Sequence, residues 1–252
     1  MYRMDCHVHL DKIGGPHKTR PPTPEDLAQY VETYKITHLI GIYDTPEIAE
    51  QFQSLVPAKI FFFKWIRKPV EPQIEDFASG IKLHPYIDQY ELNRRNTEPT
   101  LKLASQKGLP ILIHCDDRFP HLSRPVIVSA AAREFPQINF VVGHSGSYAP
   151  CPYRTPRVSR IDSNLLSELV NEAVRASKIR PNLYLDTSIL ASRLKASIIV
   201  SAPVEKILIG TDFPISKTRP ETSYNFQEQA LIEAGMPPPA LDQIRSNLFR
   251  IF

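Results

Sequence analysis

Eight short apolar runs punctuate the chain, at residues 3–9, 38–43, 59–65, 80–84, 110–114, 139–144, 182–186 and 206–212. Most read as unbroken Ile, Leu, Val and Phe rather than as an in–out alternation, the pattern of parallel strands buried on both faces. Between them lie amphipathic segments that predict helices over 24–35, 46–55, 98–107, 123–135, 162–177, 188–201, 224–234 and 240–252. Thr23 and Thr45 stand as caps before Pro24 and Pro46, and Gly108 is a good helix stop. Only the stretch 67–79, with Pro69 and Pro72, leaves little room for a helix. Strands alternating with helices imply right-handed βαβ units and a parallel sheet. Eight such units in 252 residues predict an α/β fold of the (β/α)8 (TIM) barrel type, a closed parallel sheet inside a ring of helices. One domain spanning 1–252 is expected, although periodicity alone leaves an open sheet as the alternative. In a barrel the long segments 11–22, 116–122 and 145–160 fall at the C-terminal rim, where active sites are built.

Composition narrows the class without naming the chemistry. Thirty basic against 27 acidic side chains give a net charge of +3, too weak to argue for nucleic acid. Cys6, Cys115 and Cys151 are odd in number and far apart, which suits a reducing compartment better than a disulfide framework. No apolar run approaches the ~20 residues that span a bilayer, and Met1 leads straight into a strand, leaving no room for a signal peptide. The expectation is a cytoplasmic protein with a small-molecule substrate, no nucleic acid and no membrane. Its oligomeric state is left open, a homodimer being one option. The 24 prolines form no single tract; Pro85 and Pro214, for example, follow strands directly.

The histidines change the picture. Of eight, His7, His9, His84, His114 and His144 fall at the C-terminal end of an expected strand, and Asp212 ends the last strand in the same way. His17, His38 and His121 lie in loops or at a strand start. His7 and His9 are two apart, so both project to one face, and two imidazoles there can hold a divalent ion at about 2.0–2.1 Å. Taken singly, each feature has a plain explanation: chance for the pair, core hydrogen bonding for His114 and His144, a turn cap for Asp212. Taken together they converge on one point only if the sheet closes and brings Asp212 beside His7 and His9. Four apolar runs that each end in a ligand type are hard to explain as packing. Among the rim arginines Arg67, Arg118 and Arg154, a substrate carboxylate or phosphate contact is assigned to Arg118, although a solvated loop charge is the commoner role. Asp186 is expected to support the site rather than bind metal. Cys6 alternates away from the histidines and is expected beneath the helices, and Cys115 is not expected to be catalytic.

The segments DCHVHL (5–10), GIKLHP (80–85), ILIHC (111–115), VVGHSG (141–146), LYLDTS (183–188) and ILIGTDFP (207–214) together resemble the amidohydrolase superfamily. Within it they are similar to the amidohydrolase-related, aminocarboxymuconate-semialdehyde-decarboxylase-like branch. SNLFRIF (246–252) resembles that branch's final helix with its Asn and Arg. The resemblance implies that His7, His9, His114 and Asp212 ligate one divalent metal, commonly zinc, with manganese or iron as options. It implies that His144 sits just beyond bonding range and orients or deprotonates the metal-bound water. Asp212 would accept the water's proton and pass it to the leaving group. Lys82 has three readings: a carbamylated bridge between two metals, a substrate-anion contact, or a barrel-lining residue. One metal and an unmodified Lys82 acting as a substrate contact is preferred. His84 is a candidate substrate contact, with a structural hydrogen bond as its alternative.

Such a site suits hydrolysis of an amide, ester or lactone, because zinc can bring bound water's pKa to about 7. Non-oxidative decarboxylation uses the same frame and is the alternative. The chain's shortness favours the hydrolase, whereas an aromatic-lined pocket with an arginine would favour the decarboxylase. A TatD-type nuclease fits less well: that family has glutamate where Lys82 stands and Glu-Thr-Asp where this chain has Gly210-Thr211-Asp212. A barrel that only binds a ligand is the remaining alternative.

Overall fold

In the computed structural model, which describes residues 2–11, 20–116, 119–148, 163–190, 193–215 and 223–252, eight strands lie side by side in chain order. They are β1 (Met4–His9), β2 (His38–Tyr43), β3 (Lys59–Trp65), β4 (Gly80–Leu83), β5 (Ile111–Ile113), β6 (Phe140–Val142), β7 (Leu183–Asp186) and β8 (Ile207–Leu208). Every adjacent pair is parallel. Backbone bonds between β1 and the segment after β8 close the ring. Cys6 N–H donates to Ile209 O at 2.8 Å, Asp212 N–H to His7 O at 2.9 Å, and His9 N–H to Phe213 O at 2.8 Å. The expected barrel is present, with β8 shorter than its apolar run.

The helices follow local chemistry. Pro24–Tyr34 starts with a reciprocal capping box: Thr23 Oγ1 accepts from Asp26 N–H, and the Asp26 carboxylate accepts from Thr23 N–H. Thr45, expected to repeat the device, makes no side-chain cap bond to helix Pro46–Leu55. Helix Arg94–Lys107 begins earlier than its periodicity implies, because Asn93 Oδ1 caps Asn96 N–H at 3.0 Å. Residues 66–79 hold only turns and extended chain, as the prolines require. The terminal segment is not one helix. Pro238–Ile244 is helical, and a separate 3-10 turn, Asn247–Ile251, follows. Among the described residues no helix is long and apolar enough to cross a membrane.

Two apolar layers result. One lies between strands and helices and includes Val8, Leu39, Ile81, Ile111, Phe140, Leu183 and Ile207. The other fills the barrel with Met4, Ile40, Phe63, Leu112, Val141 and Leu208, and the terminal turn caps it with Leu248 and Ile251. Asn247 Nδ2 ties that turn to Val204 O and Ile207 O at 2.7 and 2.9 Å, and Tyr184 Oη donates to Arg250 O at 3.1 Å.

Cys6 belongs to the inner layer, not beneath the helices as its alternation with His7 implies. The cause is a β-bulge. Asp5 pairs with Leu39 and Val8 with Gly41, so β1 spends three steps where β2 spends two. The extra residue lets Cys6 and His7 both face inward, while Asp5 and Val8 face out. Asp5 then meets the helix layer, accepting from Tyr30 Oη at 2.5 Å and Thr211 Oγ1 at 2.7 Å.

Candidate metal centre

The ends of the strands carry the polar groups. His7 and His9 come from β1, Lys82 from β4 and Asp186 from β7. His84, His114, His144 and Asp212 sit just beyond β4, β5, β6 and β8. All eight are buried. The backbone is held in the left-handed region at His144 (φ 54°), Ser145 (φ 48°) and Asp212 (φ 57°). Such conformations cost of order 1–3 kcal/mol each in non-glycine residues and cluster where function fixes the chain.

One potential ligand atom from each of His7, His144 and Asp212 lies within 4.8 Å of the others. Asp212 Oδ1 is 3.4 Å from His7 Nε2 and 3.3 Å from His9 Nε2. His144 Nε2 is 2.9 Å from His114 Nδ1, and His114 Nε2 faces Asp116 Oδ2 at 3.2 Å. Lys82 Nζ lies 3.1 Å from His7 Nε2. The structure brings His7, His144 and Asp212 into one group, with His9 against the same Asp212 oxygen and His114 against His144. His144, expected just beyond bonding range, stands in the innermost group, and His114 does not. His84 caps a short turn, its Nδ1 accepting from Ile87 N–H at 3.3 Å, and its ring lies between Trp65 and His114 at centroid distances of 5.3 and 3.7 Å.

Burial governs the charges. It pushes His9 down to about 4 against the pull of Asp212, and His114 down to about 4 against Asp116. His84 and His144 fall well below the usual imidazole value for the same reason, assisted by the neighbouring histidines and Lys82. Burial also lowers Lys82 to about 8, opposed by Asp212 and Asp186. Burial alone would raise Asp212, but His7, His9 and Lys82 outweigh it and hold the carboxyl well below its usual range. At neutral pH these imidazoles are neutral with lone pairs available, and Asp212 is ionised. Neutral imidazole nitrogen with one carboxylate oxygen is the donor set of a divalent ion such as zinc, so the residues present fit the metal that the sequence implies.

Two buttresses escape a sequence reading. Asp5 accepts backbone bonds from His7 N–H at 3.0 Å and Thr211 N–H at 3.2 Å, tying β1 to the residue before Asp212. Burial raises its carboxyl to about 6. Lys195, buried, donates to the carbonyls of Ser147, Ser188 and Ile189 at 3.0, 3.3 and 3.1 Å, pinning the chain beyond β6 to that beyond β7. The position of Asp5 two residues before His7 was a usable signal; Lys195 offered none. Gly210 is required where it stands, because a Cβ there would lie 2.1 Å from Asp186 Oδ1 and 3.0 Å from Cys6 Sγ. Arg67 is occupied: it pairs with Asp44, donates to Asp88 Oδ1 at 3.1 Å, and stacks 3.6 Å above the Trp65 ring centre. Arg118, Arg154, His17 and Cys151 lie outside the described residues.

A family profile described as Amidohydrolase matches residues 70–247. Among solved structures, the chain is similar to a probable 2-pyrone-4,6-dicarboxylic acid hydrolase from Acinetobacter baumannii, with 13% identity, TM-score 0.68, and 100% of this chain and 99% of that one covered. It is also similar to 4-oxalomesaconate hydratase from Rhodopseudomonas palustris, with 14% identity, TM-score 0.61, and coverage of 99% and 95%. Metarhizium anisopliae IDCase is a third, with 14% identity, TM-score 0.59, and coverage of 99% and 95%. At such identities the likenesses establish the fold alone. No curated protein matches the sequence.

Proposed function

Because the chain belongs to the amidohydrolase family, we propose that it is a metal-dependent hydrolase acting on an amide, ester or lactone bond of a small molecule. One barrel domain, 1–252, would carry the reaction. The observation that supports this most is the convergence of His7, His144 and Asp212 within 4.8 Å, with His9 against the same Asp212 oxygen. His7, His9, His114 and Asp212 would hold one divalent ion, zinc by donor type, with His144 close enough to join them. When bound, that ion would supply Lewis acidity and lower the pKa of water to about 7. Asp212, ionised and buried, takes the proton of the attacking water on a carboxylate oxygen and returns it to the leaving group. His144, neutral, is the second group that can receive a proton. Lys82 offers a cation to the developing oxyanion or to a substrate carboxylate, and His84, its ring stacked on Trp65 and His114, remains a proposed substrate contact through its ring edge. Arg118 remains a proposed anion contact. The likeness to a 2-pyrone-4,6-dicarboxylic acid hydrolase makes cyclic esters the first compounds to try.

The aromatic surroundings favour a second reading. Trp65 and Tyr148 adjoin the histidines, with His144–Tyr148 and His9–Trp65 ring centres 4.8 and 5.5 Å apart. Aromatic walls suit a planar carboxylic acid and hence decarboxylation on the same frame. The test is a panel of lactones, esters, amides and planar carboxylic acids, assayed before chelation, after it and after zinc is restored. Hydrolysis that disappears and returns is the expected result. Carbon dioxide release without hydrolysis would transfer the assignment to the lyase, and turnover indifferent to chelation would remove the metal from the proposal.

A further inference from the structure

Asp186 and Ser188, at the end of β7, do not reach Asp212, yet they touch both innermost imidazoles. The Asp186 carboxylate accepts from two backbone donors whose direction is fixed, Ser188 N–H at 2.7 Å and His144 N–H at 3.1 Å. It also faces Cys6 Sγ at 3.4 Å, His7 Nδ1 at 2.7 Å and Ser188 Oγ at 2.5 Å. A carboxylate with that many neighbours has only lone pairs to offer. His7 Nδ1 must therefore carry a hydrogen, which in the neutral ring leaves His7 Nε2, beside Asp212 and Lys82, bare. The same step assigns the serine. At 2.5 Å from a carboxylate oxygen, Ser188 Oγ must donate its only hydrogen to Asp186. Ser188 Oγ also lies 2.7 Å from His144 Nδ1. With its hydrogen spent, the hydroxyl can only accept there, so His144 Nδ1 carries a hydrogen and, in the neutral ring, His144 Nε2 is bare, any hydrogen in its 2.9 Å contact with His114 Nδ1 then belonging to His114.

We propose that Ser188 is a positioning residue that copies the polarity of Asp186 onto His144, so that one carboxylate fixes the tautomers of both His7 and His144 with their Nε2 lone pairs turned inward. The consequence for chemistry rests on the hydrolase reading, but the tautomer assignment does not. A bare Nε2 on His144 is the form that can bind a cation or receive a proton; the opposite tautomer can do neither there. Outer partners that fix a ligand histidine are commonly worth about 10–100-fold in metal affinity or activity. A serine that only filled space would be replaced by alanine without changing which nitrogen is protonated.

The test is long-range proton–nitrogen NMR of the full chain labelled at histidine nitrogen, after chelator treatment, with the His144 signals assigned from a His144→Gln sample. Wild type should show a protonated Nδ1 and a bare Nε2 for both His7 and His144. Ser188→Ala should shift His144 to a mixture or to the Nε2–H form, while His7 loses only a 3.3 Å contact from Nδ1 to Ser188 Oγ, keeps Asp186 Oδ2 at 2.7 Å, and holds its Nδ1–H form as an internal control. Ser188→Thr, which keeps the hydroxyl, should restore the wild-type pattern. In zinc titrations Ser188→Ala should bind about 10–100-fold more weakly than wild type or Ser188→Thr. A wild-type His144 protonated at Nε2 overturns the proposal even if Ser188→Ala fails to fold, and so does an unchanged His144 in a folded Ser188→Ala. Correct tautomers in a protein indifferent to chelation would count against the hydrolase reading alone.

Discussion

At the strand beginnings the barrel is filled with carbon: Met4, Phe63, Leu112 and Leu208, closed by Leu248 and Ile251. At the strand ends an equally buried volume holds five imidazoles, Lys82, Asp186 and Asp212. The lower half buries apolar surface, which stabilises the fold directly. The upper half buries charge and holds His144, Ser145 and Asp212 at positive φ, both of which cost stability. The same ring of strands supports the two halves, and the lower one offsets what the upper one costs. Disturbing each half should therefore give opposite signatures: lost chemistry with an intact fold above, lost stability with intact chemistry below.

The largest effect should come from Asp212→Asn. The substitution keeps the shape and removes the charge that faces His7, His9 and Lys82. Metal content, measured by elemental analysis, should fall from about one ion per chain to a small fraction. Hydrolysis should fall by about 10³-fold or more, since the electrostatic partner of the reacting atoms is gone. Retention of both metal and turnover would mean that the upper half is not a reaction centre.

How far the sequence reveals each half follows from the same contrast. Strand runs are legible because burial on both faces demands unbroken apolar residues. The ligand types are legible because histidine and aspartate at strand ends have few structural excuses. The inward turn of Cys6 is not, because the bulge between Asp5 and Val8 inserts one residue without a glycine or proline to mark it. Ser188 is equally silent: a serine two residues past an aspartate is common, and only the fold sets its hydroxyl between Asp186 and His144. The terminal segment misleads for a related reason. Its apolar positions fit a continuous helix, but Asn247 spends its amide on two carbonyls near β8 and breaks the helix into a plug.

Phe63→Ala probes the lower half. Its ring is buried, packing where a Cβ on Gly80 would meet it at 2.4 Å, so truncation leaves a cavity in the barrel floor. Denaturant unfolding should show a loss of about 3–5 kcal/mol, while zinc content and turnover at room temperature change little. A collapse of turnover in a protein still folded at that temperature would show that the two halves are coupled more tightly than their chemistry suggests.

Acid should reveal what the upper half costs. His9 and His114 lie at about 4 in the folded chain against 6.5 for a free side chain. Their depressed values make neutral imidazole the favoured native form. That stability is fully present above 6.5 and is lost as pH falls from there towards 4, because the unfolded chain binds protons first. By about pH 5 the loss approaches about 2 kcal/mol per imidazole. Asp5 runs the other way: its raised value of about 6 against 3.8 gives stability present below 3.8 and lost as pH rises through 6. One carboxyl does not balance two imidazoles. Metal-free protein should thus unfold at lower denaturant near pH 5 than near pH 7, and an unchanged midpoint would place these rings in water rather than in the barrel.

The smallest effect should come from Arg67, which sits at the upper rim but belongs in character with the lower half. Both partners of its guanidinium are carboxylates of the chain itself, Asp44 and Asp88, and its plane covers Trp65. A guanidinium so engaged has little left for a substrate. Arg67→Met keeps an apolar stem over the indole and removes the charge. The pair is partly exposed and screened, so the expected cost is only about 1 kcal/mol. Because the substitution takes nothing away from substrate binding, kcat and KM should both stay within about twofold of wild type, which is under about 0.5 kcal/mol. A KM raised about tenfold or more with stability unchanged would make Arg67 a substrate-binding group, and would move the boundary between the two halves outward to include the rim.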